Sequence, residues 1–249
     1  MVCCPHEGYH AGVIGHRDDR DCMTIIDKDG PDSVPMTISE STYRRMRGDI
    51  IFSRLQPGDK LRLDALRDTY TASVSTLREV LSRLTSEGFV VAEGQRGFEV
   101  APVSVGNLRE IAALRLLLES HALEQSFAAG GIDWEGTVVA SHHKLAALER
   151  LMQAGDMTQT ELWKRYDWEF HQALIAACGS RVLMETHAQV FDKYLRYQMI
   201  ALSFRGDIAA EEHRTLLTAA LARDAASAVA VLKRHVEGGV SHALATGTI

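Results

Sequence analysis

Apolar positions along the chain change rhythm twice, and the changes divide its 249 residues into three stretches. Residues 1–38 show no apolar period. They are rich in Gly, Asp and His, with prolines at 5, 31 and 35, which predicts a disordered tail. From residue 39 the spacing becomes helical. Ser39 or Ser41 is placed to cap a helix carrying Tyr43, Met46, Ile50 and Ile51 on one face. Gln56-Pro57-Gly58-Asp59 is a turn, and Asp64 to Tyr70 reads as a short helix. Ser73 or Ser75 then caps a longer helix whose Leu77, Val80, Leu81 and Leu84 face inward and which Gly88 ends. Phe89-Val90-Val91 and Phe98-Glu99-Val100 read as strands around the tight turn Gly94-Gln95-Arg96-Gly97. Three helices and a hairpin in this order predict a winged helix-turn-helix over residues 39–102.

Beyond Pro102 the chain has no proline, and long helical periods follow near 104–129, 133–153, 158–177, 180–203, 207–222 and 224–245. Breaks fall at Gly130-Gly131, Gly155, Gly179 and Gly206. Six antiparallel helices over residues 103–249 predict a bundle with room for an internal cavity. The fold class is therefore mainly α, with an N-terminal winged helix-turn-helix followed by an antiparallel, all-helical, six-helix bundle.

Composition narrows this little: 46% apolar and 24% charged residues exclude fibrous and mostly disordered chains. No apolar run reaches the roughly 18 residues of a membrane span, and no signal peptide is visible, so no membrane partner and a cytoplasmic location are expected. Cys3, Cys4, Cys22 and Cys178 make no disulfide framework. The first three, with His6, His10 and His16, lack any zinc-site spacing, and Cys178 sits in an apolar run as a small hydrophobe.

Charge changes the picture more. The net charge of −6 argues at first against nucleic acid as a partner. Its distribution reverses that. Residues 1–38 hold three basic and seven acidic residues, 39–102 ten and nine, and 103–249 fourteen and seventeen. The acidity lies outside the helix-turn-helix. There Ser73, Ser75, Thr76 and Arg78 crowd the start of the second helix of the motif, where side chains reach base edges in the major groove. Hydroxyls and amides at that end also suit phosphates. Arg44 and Arg62 complete the candidate DNA contacts on the helices. The plainer reading is that these hydroxyls only cap a helix and that Arg78 is solvated.

In the bundle, Asp167 and His171 stand four apart inside YDWEFHQAL and project from one face. His213 follows Glu211-Glu212 near the start of another helix, and His235 lies late on the last. Three imidazoles and a carboxylate from three helices can converge on a metal, and such donors suit Zn²⁺, Ni²⁺ or Mn²⁺. Taken one by one, they read more readily as a surface pair and solvated histidines than as ligands.

The segment IIFSRLQPGDKLRLDALRDTYTASVSTLREVLSRLTSEGFVVAEGQRGFEV resembles the DNA-binding domain of GntR-type bacterial regulators. The shared landmarks include Pro57-Gly58, Leu61, Leu66, Ser73, Leu77-Arg78-Glu79, Leu81, Leu84, Gly88 and Gly97. The resemblance implies that Ser75, Thr76 and Arg78 touch DNA from the recognition helix, and that the wing around Gly94 and Arg96 enters the minor groove. The family commonly has Arg at the position of Val74 and Pro at that of Thr76, so the operator sequence does not follow from family habit.

The bundle is similar to the FCD domain of the FadR subfamily, in its metal-binding form. DWEFHQAL matches that domain's Asp-x2-Phe-His motif, and the 22-residue separation of His213 and His235 matches its last two helices. The resemblance implies metal ligands at Asp167, His171, His213 and His235. It also implies an effector-binding arginine at Arg115, in an Arg-x3-Glu pattern with Glu119, where a salt bridge between the two is the competing reading. His121, His142, His143, His187 and His242 match no ligand position. MTIS at 36–39, ACGS at 177–180 and TAALARD at 218–224 resemble regulators of glutarate and 4-aminobutyrate use in enteric bacteria. The expectation is a homodimeric repressor on double-stranded operator DNA, released by a small carboxylate such as a dicarboxylate at a divalent ion, with zinc ahead of nickel and manganese. A metal-dependent hydrolase and a sensor of the metal itself are the alternatives.

Overall fold

The computed structural model describes residues 36–92, 94, 97–202 and 204–249. The expected tail up to residue 35, with Cys3, Cys4, Cys22 and its histidines, and the wing residue Arg96 lie outside the described residues.

Helix α1 spans Ile38–Ile51, α2 Leu63–Tyr70 and α3 Val74–Ser86, followed by β1 (Val90–Ala92) and β2 (Phe98–Val100). The first helix starts earlier than the serines suggested. Thr37 holds the cap, its Oγ1 accepting from the Glu40 amide at 3.2 Å. Extended backbone at Thr37 leaves Ser39 and Ser41 inside the helix, so neither can serve. On α3 the cap is Ser73, which accepts from the Thr76 amide at 3.1 Å. The hairpin pairs Val90 with Val100 and Ala92 with Phe98 in antiparallel register. The turn at 56–59 docks on it, the Gly58 amide donating to the Val100 carbonyl at 3.0 Å from a left-handed φ of 86° that glycine adopts without strain. Tyr43, Met46, Ile50, Leu66, Leu77, Leu81, Leu84 and Phe89 close the core of this part.

The bundle comprises α4 (Val105–Ala129), α5 (Ile132–Gln153), α6 (Thr160–Ile175), α7 (Arg181–Ile200), α8 (Asp207–Leu221) and α9 (Ala225–Ala245). The bounds fall within three residues of those read from the periodicity. Side-chain caps at Ser104, Ser180 and Asp224 start three of the helices. Helix α4 packs on α7 and α9, α5 on α6 and α8, and α8 on α9. Leu123, Leu145, Phe170, Leu174, Leu216 and Leu232 lie in the apolar core. At the bundle's centre the core turns polar: Arg115, Glu119, Glu149, Lys164, Asp167, His171, His187, His213 and His235 are all buried. Helix α7 also touches α1, and Trp168, Phe191, Leu195 and Met199 join the core of the winged helix.

Candidate metal centre and nucleic-acid interface

Burying so many ionisable groups costs heavily unless they satisfy one another or bind something. Helix α6 presents Asp167 and His171 one turn apart, α8 presents His213 and α9 presents His235. One donor atom from each lies within 4.8 Å of the other three. These four could hold a metal ion.

The surroundings fit a cation. His171 Nδ1 donates to Glu119 and His213 Nδ1 to Glu149 at 2.6 Å, and His235 Nδ1 lies 2.9 Å from a Glu212 carboxylate oxygen. For His171 and His213 a carboxylate on Nδ1 favours the tautomer with the Nε2 lone pair free, the arrangement seen behind metal-bound imidazoles, whereas His235 Nδ1 also lies 3.0 Å from the donor Arg205 Nη2. The Nε2 atoms of His171 and His213 are buried without a hydrogen-bond partner among the described residues. Both face Asp167 Oδ1, at 3.8 Å and 3.2 Å. Lone pairs pointed at a carboxylate oxygen repel unless a positive charge lies between them. Without an ion, a proton on His213 answers the same pull. Burial acts to lower the His213 pKa, yet the carboxylates of Asp167 and Glu149 push it up to about 9. Burial keeps His171 below its ordinary range and His235 well below it. Burial acts to raise Asp167, but Lys164 and the neighbouring imidazoles hold it well below the usual carboxylate range. Lys164 Nζ sits 3.4 Å from Asp167 Oδ2 and 2.7 Å from Gln198 Oε1.

Arg115 completes one wall. Its Nε donates to Glu119 Oε2 at 2.9 Å, so the salt bridge weighed against effector binding is present. It does not exhaust the guanidinium: Nη1 and Nη2 are buried with no partner among the described residues. Phe191 and Tyr194 hold the group by cation–π contact, 4.2 Å and 4.8 Å from their ring centres. Two free parallel donors suit a carboxylate. On the other side, Arg205 and Glu212 pair at 2.7 Å and line a groove of about 580 Å³ between α8 and α9.

Sequence reasoning passed over the three glutamates as supports of the imidazoles. Glu149 carried a signal, since it follows Leu145 and Leu148 and precedes Met152 on the buried face of α5. His187, left without a role, is fully buried and donates from Nε2 to Glu119 Oε2 at 3.1 Å. His142 is buried against Phe170, while His121 and His143 are exposed.

At the other end, Ser73, Ser75 and Arg78 are exposed at the start of α3, with Thr76 half-buried. Ser73 is engaged as the cap and also meets the hydroxyls of Ser75 and Thr76, at 2.8 Å and 2.9 Å. Arg78 and Arg62 are exposed and make no ion pair among the described residues. Arg44 bonds Glu40 at 2.8 Å, and Gly94 takes a left-handed φ of 55° at the wing. Arg47, one of the basic residues counted here, does not face outward at all; it is buried against Asp192.

Residues 38–100 match the family described as bacterial regulatory proteins, gntR family, and residues 110–238 match the FCD domain. The HTH-type transcriptional regulator BphR of Paraburkholderia xenovorans LB400 is 34% identical over 86% of this chain and 91% of its own length. The HTH-type transcriptional repressor GlaR of Escherichia coli K12 is 35% identical over 86% of this chain and 94% of its own. The fold is shared with E. coli McbR/YncC, at a TM-score of 0.71 and 19% identity over 85% of this chain and 99% of that one. No helix of the described residues is long and apolar enough to cross a membrane. The chain belongs to the GntR family of bacterial regulatory proteins, with an FCD effector-binding domain, and is a DNA-binding transcriptional regulator rather than an enzyme.

Proposed function

We propose that the protein is a homodimeric, cytoplasmic repressor whose DNA affinity falls when a small carboxylate binds in the bundle. Residues 39–102 read the operator, and residues 103–249 bind the effector and carry the dimer contact. Asp167, His171, His213 and His235 would hold a divalent ion, zinc first among the candidates. When bound, that ion offers an electrophilic anchor for one carboxylate oxygen. Arg115 is the partner for the rest of the carboxylate, through Nη1 and Nη2. Ser75, Thr76 and Arg78 meet base edges, while Arg44, Arg62, the Ser73 hydroxyl and the wing at Gly94 and Arg96 meet the backbone and minor groove. GlaR, a repressor by name, supports the sign of regulation.

The observation that carries the reading is the set of unpartnered polar atoms, His171 Nε2, His213 Nε2 and both terminal nitrogens of Arg115, around one buried carboxylate. The test is a gel shift on the DNA upstream of its own gene, with EDTA, with Zn²⁺, and with Zn²⁺ plus mono- and dicarboxylates. Binding that weakens only when carboxylate joins Zn²⁺ supports the proposal. Release by Zn²⁺ alone would instead make the ion the signal. In parallel, His213→Ala should lose the carboxylate-dependent thermal shift; if it keeps the full shift, the site is misassigned.

A further inference from the structure

Helix α7 carries four residues in register between the buried centre and the winged helix. His187 bonds Glu119 at 3.1 Å. Phe191, one turn on, lies 5.7 Å ring to ring from both His171 and His187 and 4.2 Å below the Arg115 guanidinium, yet belongs to the apolar core of the winged helix. Asp192, the next residue, accepts from Arg47 Nη2 of α1 at 2.8 Å, with both side chains 2% exposed. Arg196, a turn further, donates to the Ala101 carbonyl in the connection between the two parts.

The Arg47–Asp192 pair is not built for strength. Arg47 Nη1 and Asp192 Oδ1 are buried with no partner among the described residues, so a geometry that could be bidentate is held by one bond. Arg47 Nε turns instead to Glu87 at 2.9 Å, and Glu87 takes the Tyr43 hydroxyl at 2.6 Å. A buried ion pair satisfied by halves adds little stability and fixes position instead.

We infer that Asp192 is a positioning residue for DNA reading: through Arg47 it seats α1 of the winged helix on α7, and Phe191 beside it ties that seat to His171 and Arg115. The link to the centre rests on the reading of that centre as the effector site; the seat does not. Displacement of His171 or Arg115 moves Phe191, and with it the one acceptor oxygen that Arg47 uses. The operator-reading helices then turn against the bundle at the seam where Phe191 enters the core of the winged helix.

Hydrogen exchange on the full chain tests this, in EDTA and with Zn²⁺, alongside calorimetric titration of Zn²⁺. Asp192→Leu removes the acceptor and should speed exchange over residues 38–51 by about threefold or more, leaving 105–129 and 132–153 unchanged. Asp192→Asn, which keeps an acceptor oxygen, should restore the wild-type pattern. Zn²⁺ should alter exchange over 38–51 in the wild type and not in Asp192→Leu, with Zn²⁺ affinity equal in both. Unchanged exchange over 38–51 in Asp192→Leu, a uniform rise across the bundle, or an equal Zn²⁺ response in both proteins would overturn the inference. If the wild type binds no Zn²⁺, the metal reading and the link fall together, and the metal-free comparison still decides the seat.

Discussion

Glu149 illustrates how much of the bundle's chemistry rests on single side chains. It is buried, and its one described hydrogen bond is to His213 Nδ1 at 2.6 Å. Glu149→Gln keeps the size but presents an amide that can turn its NH₂ to Nδ1 and favour the wrong tautomer. Zn²⁺ affinity should drop about 10- to 100-fold, the usual range for such supports, while the thermal midpoint without metal changes little. Calorimetry on the two proteins checks it. Arg78 stands alone in the opposite sense, exposed at the mouth of α3 with no ion pair among the described residues. Arg78→Ala should weaken operator binding by about 1–3 kcal/mol and relax preference at one base pair, whereas Arg62→Ala should weaken all sequences alike and lower the salt slope by about one. Titrations of operator and scrambled DNA at several salt concentrations separate the two.

Element by element, the helices were legible because burial in this fold follows the 3.6-residue period closely: Leu77, Val80, Leu81 and Leu84 line one side of α3 and all are buried. What the period hid was charge placed on the apolar side. Arg47 follows Tyr43 by four residues and precedes Ile50 by three, which puts it on the inner face of α1, but basic residues in a helix-turn-helix invite the DNA reading. Asp192 and Glu149 likewise sit on apolar faces, but their partners Arg47 and His213 lie on other helices, so spacing marks them as buried without naming what they bind. Asp167 and His171 were legible because both sit on one helix, one turn apart. Helix α9 gives a test of its packing role. A Cβ on Gly239 would stand 2.3 Å from the Tyr194 hydroxyl, which donates to the Val236 carbonyl at 3.1 Å and flanks Arg115. Gly239→Ala should therefore cost about 1–3 kcal/mol by overpacking and displace Tyr194 from Arg115, whereas Gly136→Ala, with open space around its Cβ, should cost nothing on that ground. Denaturant melts of both variants check the contrast.

Across the whole molecule, the charges buried at the centre and at the seam respond to solution conditions in different ways. At the seam, burial pushes the Asp192 carboxyl up to about 6 from an ordinary 3.8, against the pull of Arg47 and with Glu87 adding to the rise. Folding thus favours the neutral acid. The stability this confers is fully present below the ordinary value and is lost as pH rises through about 6, a difference of about 3 kcal/mol. Asp192→Asn should remove that part of the slope, so the unfolding free energies of wild type and variant should diverge between acid and neutral pH and run parallel above. At the centre, the carboxylates of Glu119, Glu149, Asp167 and Glu212 face the cations of Arg115, Lys164 and Arg205. With His213 protonated, as its raised pKa implies, these charges balance. A divalent ion that displaces the His213 proton leaves the site positive by one, which is what an anionic carboxylate needs beside Arg115. Metal and carboxylate should then bind with positive cooperativity, and linkage requires each to tighten the other by the same factor. Zn²⁺ titrations with and without glutarate, and glutarate titrations with and without Zn²⁺, should give equal ratios, on the order of 10-fold or more. Arg115→Met should abolish the ratio while leaving Zn²⁺ binding alone intact; a ratio that survives in Arg115→Met would place the carboxylate elsewhere.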